Sequence, residues 1–184
     1  MSGKSAEICL LDLKADTAEF DALVEFSAQI FGYDEQMAAG FFDEKLSMPQ
    51  SKGFVAVLDS GKPVGYVIGH KASKWLDSRF APRLQSFESQ LSSKPYWEIV
   101  ELYVQPEFRN LGIGSRLLCE VSAIHPAEHF LARAQANSDF ARLLVSKGWK
   151  FEFEFLIHKR ADPLCLLSRK PFQEEPYLLK EPTP

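Results

Sequence analysis

Five residues in one short stretch could do chemistry together. Glu98 and Glu101 stand in the apolar run WEIVELYV, and Arg109, Gly112 and Gly114 follow in RNLGIG. A strand sends successive side chains to opposite faces, so carboxylates three positions apart point to opposite sides unless a bulge intervenes. The glycine turn reads as an anion cradle. Amides free of Cβ bulk can converge on phosphate oxygens, and a helix starting there adds the favourable end of its dipole. Arg109 and the strand that ends at Pro106 favour a phosphate over a turn that is merely tight. A dinucleotide motif GxGxxG or GxGxxA would need a small residue where Leu117 stands, and a GxxxxGK[ST] loop is absent.

Such a cradle needs a strand before it and a helix after it, and the hydrophobic pattern supplies both. YWEIVELYV reads as the strand, and IGSRLLCEVSAI as a helix whose apolar face is Ile113, Leu117, Leu118, Val121 and Ile124. Around them, residues 7–13 read as a first strand. A helix follows, with Asp16 or Thr17 as N-cap and Gly32 at its end, then a second helix over residues 35–46. Two β-rich runs flank residues 59–62 as a hairpin. Leu76, Phe80, Leu84, Phe87 and Leu91 predict a helical insertion over 72–95, broken at Pro82. HFLARAQ reads as a strand, and NSDFARLLVSKGW as a helix with Asn137 as N-cap and Gly148 at its end. KFEFEFLIHK and LCLLSRK close the pattern as a hairpin. This order is a mixed α/β or α+β sheet, hairpins first, with one strand–helix–strand crossover in the middle.

Composition narrows the function. A net charge of −4 argues against a general nucleic-acid coat, which would be basic. No apolar run approaches the roughly 20 residues of a membrane span, and the N-terminus lacks the apolar region of a signal peptide. Cys9, Cys119 and Cys165 are far apart and odd in number, which suits a reducing compartment, so a cytoplasmic protein is expected. His70, His125, His129 and His158 show no metal-ligand spacing, and no metal is assigned.

On LYVQPEFRNLGIGSRLL, on NSDFARLLVSKGW at the spacing of a later helix, and on this element order over roughly residues 7–170, the sequence resembles the GNAT superfamily of acyl-CoA-dependent N-acyltransferases. The resemblance implies a mixed, mostly antiparallel sheet of about seven strands, splayed in the middle, with about four helices. One domain would span 1–170, followed by a Pro-rich tail over 171–184. Acetyl-CoA is the implied co-substrate. Leu102, Tyr103 and Val104 would offer backbone groups to its pantetheine arm. Its pyrophosphate would lie on Arg109, Asn110, Leu111, Gly112, Ile113 and Gly114, with Ser115 next. Asn137 would touch the cofactor arm, a role compatible with N-capping.

The implied reaction is direct attack of a primary amine in a ternary complex. Glu98 falls where several relatives carry a general base, and it is the expected base here. Glu101 falls where others hold an acidic residue that is structural or binds substrate. Many relatives have a proton-donating tyrosine where this chain has Leu144, so water or the hydroxyl of Tyr33, Tyr103 or Ser146 would have to serve. Phe31, Tyr33, Phe41 and Phe42, interleaved with Asp34, Glu35, Asp43 and Glu44, fall where relatives border the acceptor cleft. The expected partner is a small-molecule or peptide amine, with no nucleic acid or membrane, and a homodimer is allowed. The alternative is a catalytically degenerate CoA-binding sensor or interaction module, which Leu144 favours.

Overall fold

Helix α1 (Ala18–Phe31) starts where Thr17 caps it, its hydroxyl accepting the Phe20 N–H at 3.3 Å. It stops at Gly32, whose φ of +68° is a left-handed conformation that glycine adopts without a Cβ clash. Helix α2 (Glu35–Leu46) follows at once, capped by Asp34. Together they present Phe20, Leu23, Phe26 and Phe42 to one face of a sheet.

The computed structural model describes residues 8–15, 17–72, 96–124, 129–155 and 163–169. The expected insertion over 72–95 and the tail over 171–184 fall almost wholly outside them. Seven strands form the sheet: β1 (Ile8–Leu13), β2 (Lys52–Leu58), β3 (Pro63–Ala72), β4 (Tyr96–Val104), β5 (Phe130–Gln135), β6 (Lys150–Phe155) and β7 (Leu164–Arg169), in the order β1-β2-β3-β4-β5-β7-β6. Every neighbouring pair is antiparallel except β4 with β5. Helix α3 (Ile113–Ala123) makes the crossover between those two parallel strands. It covers the face opposite α1 and α2, burying Ile113, Leu117, Leu118 and Val121 against Val67, Trp97, Ile99 and Ala132. At roughly 1.5–3 kcal/mol for each such side chain, this packing is what fixes the helix on the sheet. With both faces covered, nine of the ten residues of β3 are buried.

The sheet forks in its middle. β4 and β5 pair only over Trp97–Ile99 and Phe130–Ala132. Beyond that, β4 runs on bonded to β3, and β5 runs on bonded to β7. Helix α4 (Asp139–Ser146) lies after β5 and buries Ala141 and Leu144. Its N-cap is Ser138 rather than Asn137. The Ser138 hydroxyl accepts the Ala141 N–H at 3.1 Å while donating to the Gln135 carbonyl at 2.8 Å, so the helix begins one residue later than the sequence pattern suggested.

Candidate active site

Past the fork, β4 ends in a short 3₁₀ turn over Pro106–Phe108 and then the glycine turn. Gly112 has φ +80° and sits at the start of α3 with no side-chain cap. The first amides of a helix have no partner within it, so those of Ile113, Gly114 and Ser115 remain available. They border a groove of about 750 Å³ between the end of β4, the start of α3 and α4. Gly114 lets the two helices approach: a Cβ there would lie 3.1 Å from Leu143 Cδ2.

Of the residues the sequence nominated, Leu102, Tyr103, Val104, Arg109, Asn110, Gly112, Ile113, Gly114 and Ser115 line this groove. Leu111 and Asn137 do not. Leu111 is turned outward, 63% exposed, and Asn137 instead accepts an N–H of Arg142 on its carbonyl at 2.7 Å. On the α4 side of the groove the sequence reading named only Ser146, as a possible proton donor, and missed Asp139, Arg142 and Leu143, which are brought in beside it at helical spacing. Arg109 donates to the Val104 carbonyl at 3.0 Å and reaches Asp139 at 3.4 Å, and Arg142 also pairs with Asp139. The groove mouth therefore carries two guanidinium groups on one carboxylate. Uncapped helix amides, two arginines and bare glycine backbone are the donor set a pyrophosphate requires, so the residues present fit CoA.

The carboxylates are arranged differently from the expectation of opposite faces. In the pairing of β3 with β4, Ile68 is opposite Glu101 and Gly69 opposite Ile99, so Val100 has no partner. This bulge changes the phase of the strand. Glu98 pairs with His70, and Glu101 with Ile68, and residues 68 and 70 share one face of β3. Both carboxylates therefore project on the side covered by α1 and α2.

Their surroundings differ. Glu98 is 3% exposed and is bound by Arg133 through Nε at 2.7 Å and Nη2 at 2.6 Å, with His70 Nε2 at 3.7 Å. Arg133 is the clue the sequence carried: a cation in the middle of the apolar strand FLARAQ calls for a buried partner. Among the described residues, Glu101 has no comparable ion pair. Burial raises its pKa, with Lys45 of α2 pulling it partly back. The phenol of Tyr66 is raised in turn, by burial first and by the Glu101 charge second.

Tyr103 connects the two compartments. It lines the groove, and it also stacks on Tyr66 at 6.1 Å and meets Phe31 edge-on at 5.2 Å. Its pKa is raised by burial, an effect that Arg109 opposes. Leu144 faces away from all of this. It is fully buried in the core, and the groove side of its helix is Leu143 and Ser146. Among the described residues, no group of three or more His, Cys, Asp or Glu could hold a metal, and no helix is long and apolar enough to cross a membrane.

The family model for "Acetyltransferase (GNAT) family" matches residues 18–142, more than half of the chain. The chain belongs to the GNAT acetyltransferase family. No curated protein matches it by sequence. Among solved structures, this GNAT chain is similar to Arabidopsis thaliana NAA60 in complex with acetyl-CoA, at 17% identity and TM-score 0.64, covering 89% of this chain and 98% of that one. It is similar to an aminoglycoside 6'-acetyltransferase type Ii at 13% identity and TM-score 0.65, with 90% and 98% covered. A histone acetyltransferase HPA2 and related acetyltransferase from Corynebacterium glutamicum gives 18% identity and TM-score 0.62, with 90% and 98% covered. These likenesses show the shared fold. As a member of this family the protein is an acetyltransferase, and the NAA60 structure that it resembles carries acetyl-CoA.

Proposed function

We propose that the protein is an N-acetyltransferase that moves an acetyl group from acetyl-CoA to a primary amine within a ternary complex, with Glu101 as the general base. The observation that carries this is the position of Glu101. It is partly buried, its pKa is raised, and it immediately precedes Leu102, Tyr103 and Val104, which line the groove. When bound, acetyl-CoA supplies an activated acetyl thioester. The uncapped amides at the start of α3, with Arg109 and Arg142, hold its pyrophosphate. Glu101 takes the proton that keeps the acceptor an ammonium, since an alkyl ammonium has a pKa of about 10.4. The freed amine then forms the N–C bond as the C–S bond breaks. The departing sulfur takes a proton from the groove-lining Tyr103 or from water, and the second proton that the nitrogen sheds on becoming an amide restores that donor.

Glu98 is proposed as a positioning residue instead of the base. Its carboxylate is committed to Arg133, and together they tie β4 to β5 at the fork. The free thiols of Cys9, Cys119 and Cys165 support a reducing, cytoplasmic setting as part of the same reading.

A broad panel of amines and peptides, assayed by release of free thiol from acetyl-CoA, tests the proposal. Release that depends on the amine, with the acetyl group recovered on nitrogen, is the expected result. Tight CoA binding without release across the panel would favour the binding-module alternative. An acetyl group trapped covalently on the protein would contradict the ternary complex.

A further inference from the structure

Beyond Tyr103, two large rings stand half in solvent. Phe31 is 40% exposed and Tyr33 is 47% exposed, with their centroids 5.8 Å apart. Neither is needed to fill the core beneath α1, which Phe20, Leu23 and Phe26 already occupy. Their position is nonetheless well defined. Gly32 between them is held left-handed, and Asp34 next in the chain accepts the Met37 N–H at 2.7 Å. Phe31 packs edge-on against Tyr103 at 5.2 Å. Since Tyr103 also lines the cofactor groove, an aromatic surface runs from the groove out to solvent.

The charge of Glu101 itself is partly offset, although α2 also carries acidic residues and Lys45 pairs with Glu44 at 3.0 Å. The Glu101 carboxylate acts on the Tyr66 phenol, and the Lys45 ammonium acts on Glu101. A polycation would therefore meet the Lys45 ammonium beside Glu101. An amine with a single positive charge and a large apolar neighbour would bury that group on the rings and give its one proton to Glu101.

Resting on the N-acetyltransferase reading above, we propose that Phe31, Tyr33 and Tyr103 form an apolar subsite, and that the acceptor is an amine with a large apolar group on the adjoining carbon. The α-amine of a peptide beginning with a bulky apolar residue and a free arylalkylamine share this chemistry.

The test uses the full chain and five probes: phenylalaninamide, phenethylamine, a phenylalanine-headed tripeptide, glycinamide and spermidine. Thiol release gives kcat/KM for each, and calorimetry gives its affinity for the CoA-loaded protein. Burying a side chain of this size predicts kcat/KM for the apolar-flanked amines at least about tenfold above glycinamide and spermidine. In Phe31→Ala or Tyr33→Ala this ratio should fall towards unity, with CoA affinity measured in each variant to establish that it is folded. The wild-type ratio stands as evidence even if a variant fails to fold. A strong preference for the tripeptide over phenethylamine would identify a peptide terminus as the source of the amine, and the reverse a small molecule; both support the subsite. Equal or faster turnover of glycinamide or spermidine would overturn the subsite while leaving the N-acetyltransferase reading intact. If no amine is turned over but phenylalaninamide binds the wild type and not Phe31→Ala, the subsite stands and the catalytic reading fails. No binding and no turnover would overturn both.

Discussion

Replacing Glu98 by glutamine separates the two carboxylates. Glu98 is almost fully buried, and both of its short contacts come from the Arg133 guanidinium, at 2.6 and 2.7 Å. Hydrogen bonds to charged partners contribute about 1.5–3 kcal/mol, and breaking a fully buried pair costs about 3–5 kcal/mol. The Arg133 side chain is 33% exposed, so water recovers part of its solvation when the carboxylate goes. A loss of about 2 kcal/mol is therefore expected, which for a chain of this length lowers Tm by about 4–8 °C. Thermal melts and urea midpoints at pH 7, with and without CoA, measure this loss, and thiol release on the same samples measures turnover. The reasoning predicts a Glu98→Gln protein that melts lower, binds CoA nearly as well, and keeps a substantial share of its turnover below its new Tm. A Glu98→Gln protein that melts with the wild type but has lost turnover would refute it. Glu98 would then be the base, and its pairing with Arg133 would be a means of tuning that base.

Glu101→Gln should lower turnover at neutral pH by about 10²–10⁴-fold, with the deficit shrinking as pH rises and free amine becomes abundant; a pH profile of kcat checks this. The same variant should be as stable as the wild type at pH 7 or more so. Burial raises the Glu101 pKa above its usual 4.5, so the favourable protonated state is fully present below 4.5 and its contribution is lost as pH rises through the raised value. The stability gain of Glu101→Gln should accordingly fade in melts below pH 4.5. Gly112→Val should weaken CoA binding by at least about tenfold in calorimetry, because its φ of +80° costs a β-branched residue roughly 1–2 kcal/mol and the added carbons crowd the cradle. Arg142→Ala should weaken CoA binding less than that and flatten its salt dependence, since it removes one guanidinium from the groove mouth and leaves the helix amides in place.

The glycine turn was legible in the sequence because its signal is local. Gly112 and Gly114 after a β-rich run and before an amphipathic helix leave few conformations open, and the helix that follows buries Ile113, Leu117, Leu118 and Val121, the spacing its pattern specified. The same locality explains Thr17 and Gly32 at the ends of α1 and the hairpin of β2 with β3. Capping was less sharply readable at Asn137 and Ser138, where adjacent residues can both accept an amide and the backbone path chooses between them. Residues brought together from distant parts of the chain were not readable. Arg142 and Ser146 face the groove only because α4 is docked beside β5, and Arg133 meets Glu98 only because β5 lies parallel to β4. The bulge at Val100 decided most. Strand periodicity placed Glu98 and Glu101 on opposite faces, but the pairing of β4 with β3 accommodates one extra residue and turns both carboxylates to the same side. A side-chain period of two is a property of the chain alone, whereas the register that interrupts it belongs to the neighbouring strand, so only the assembled sheet could set it.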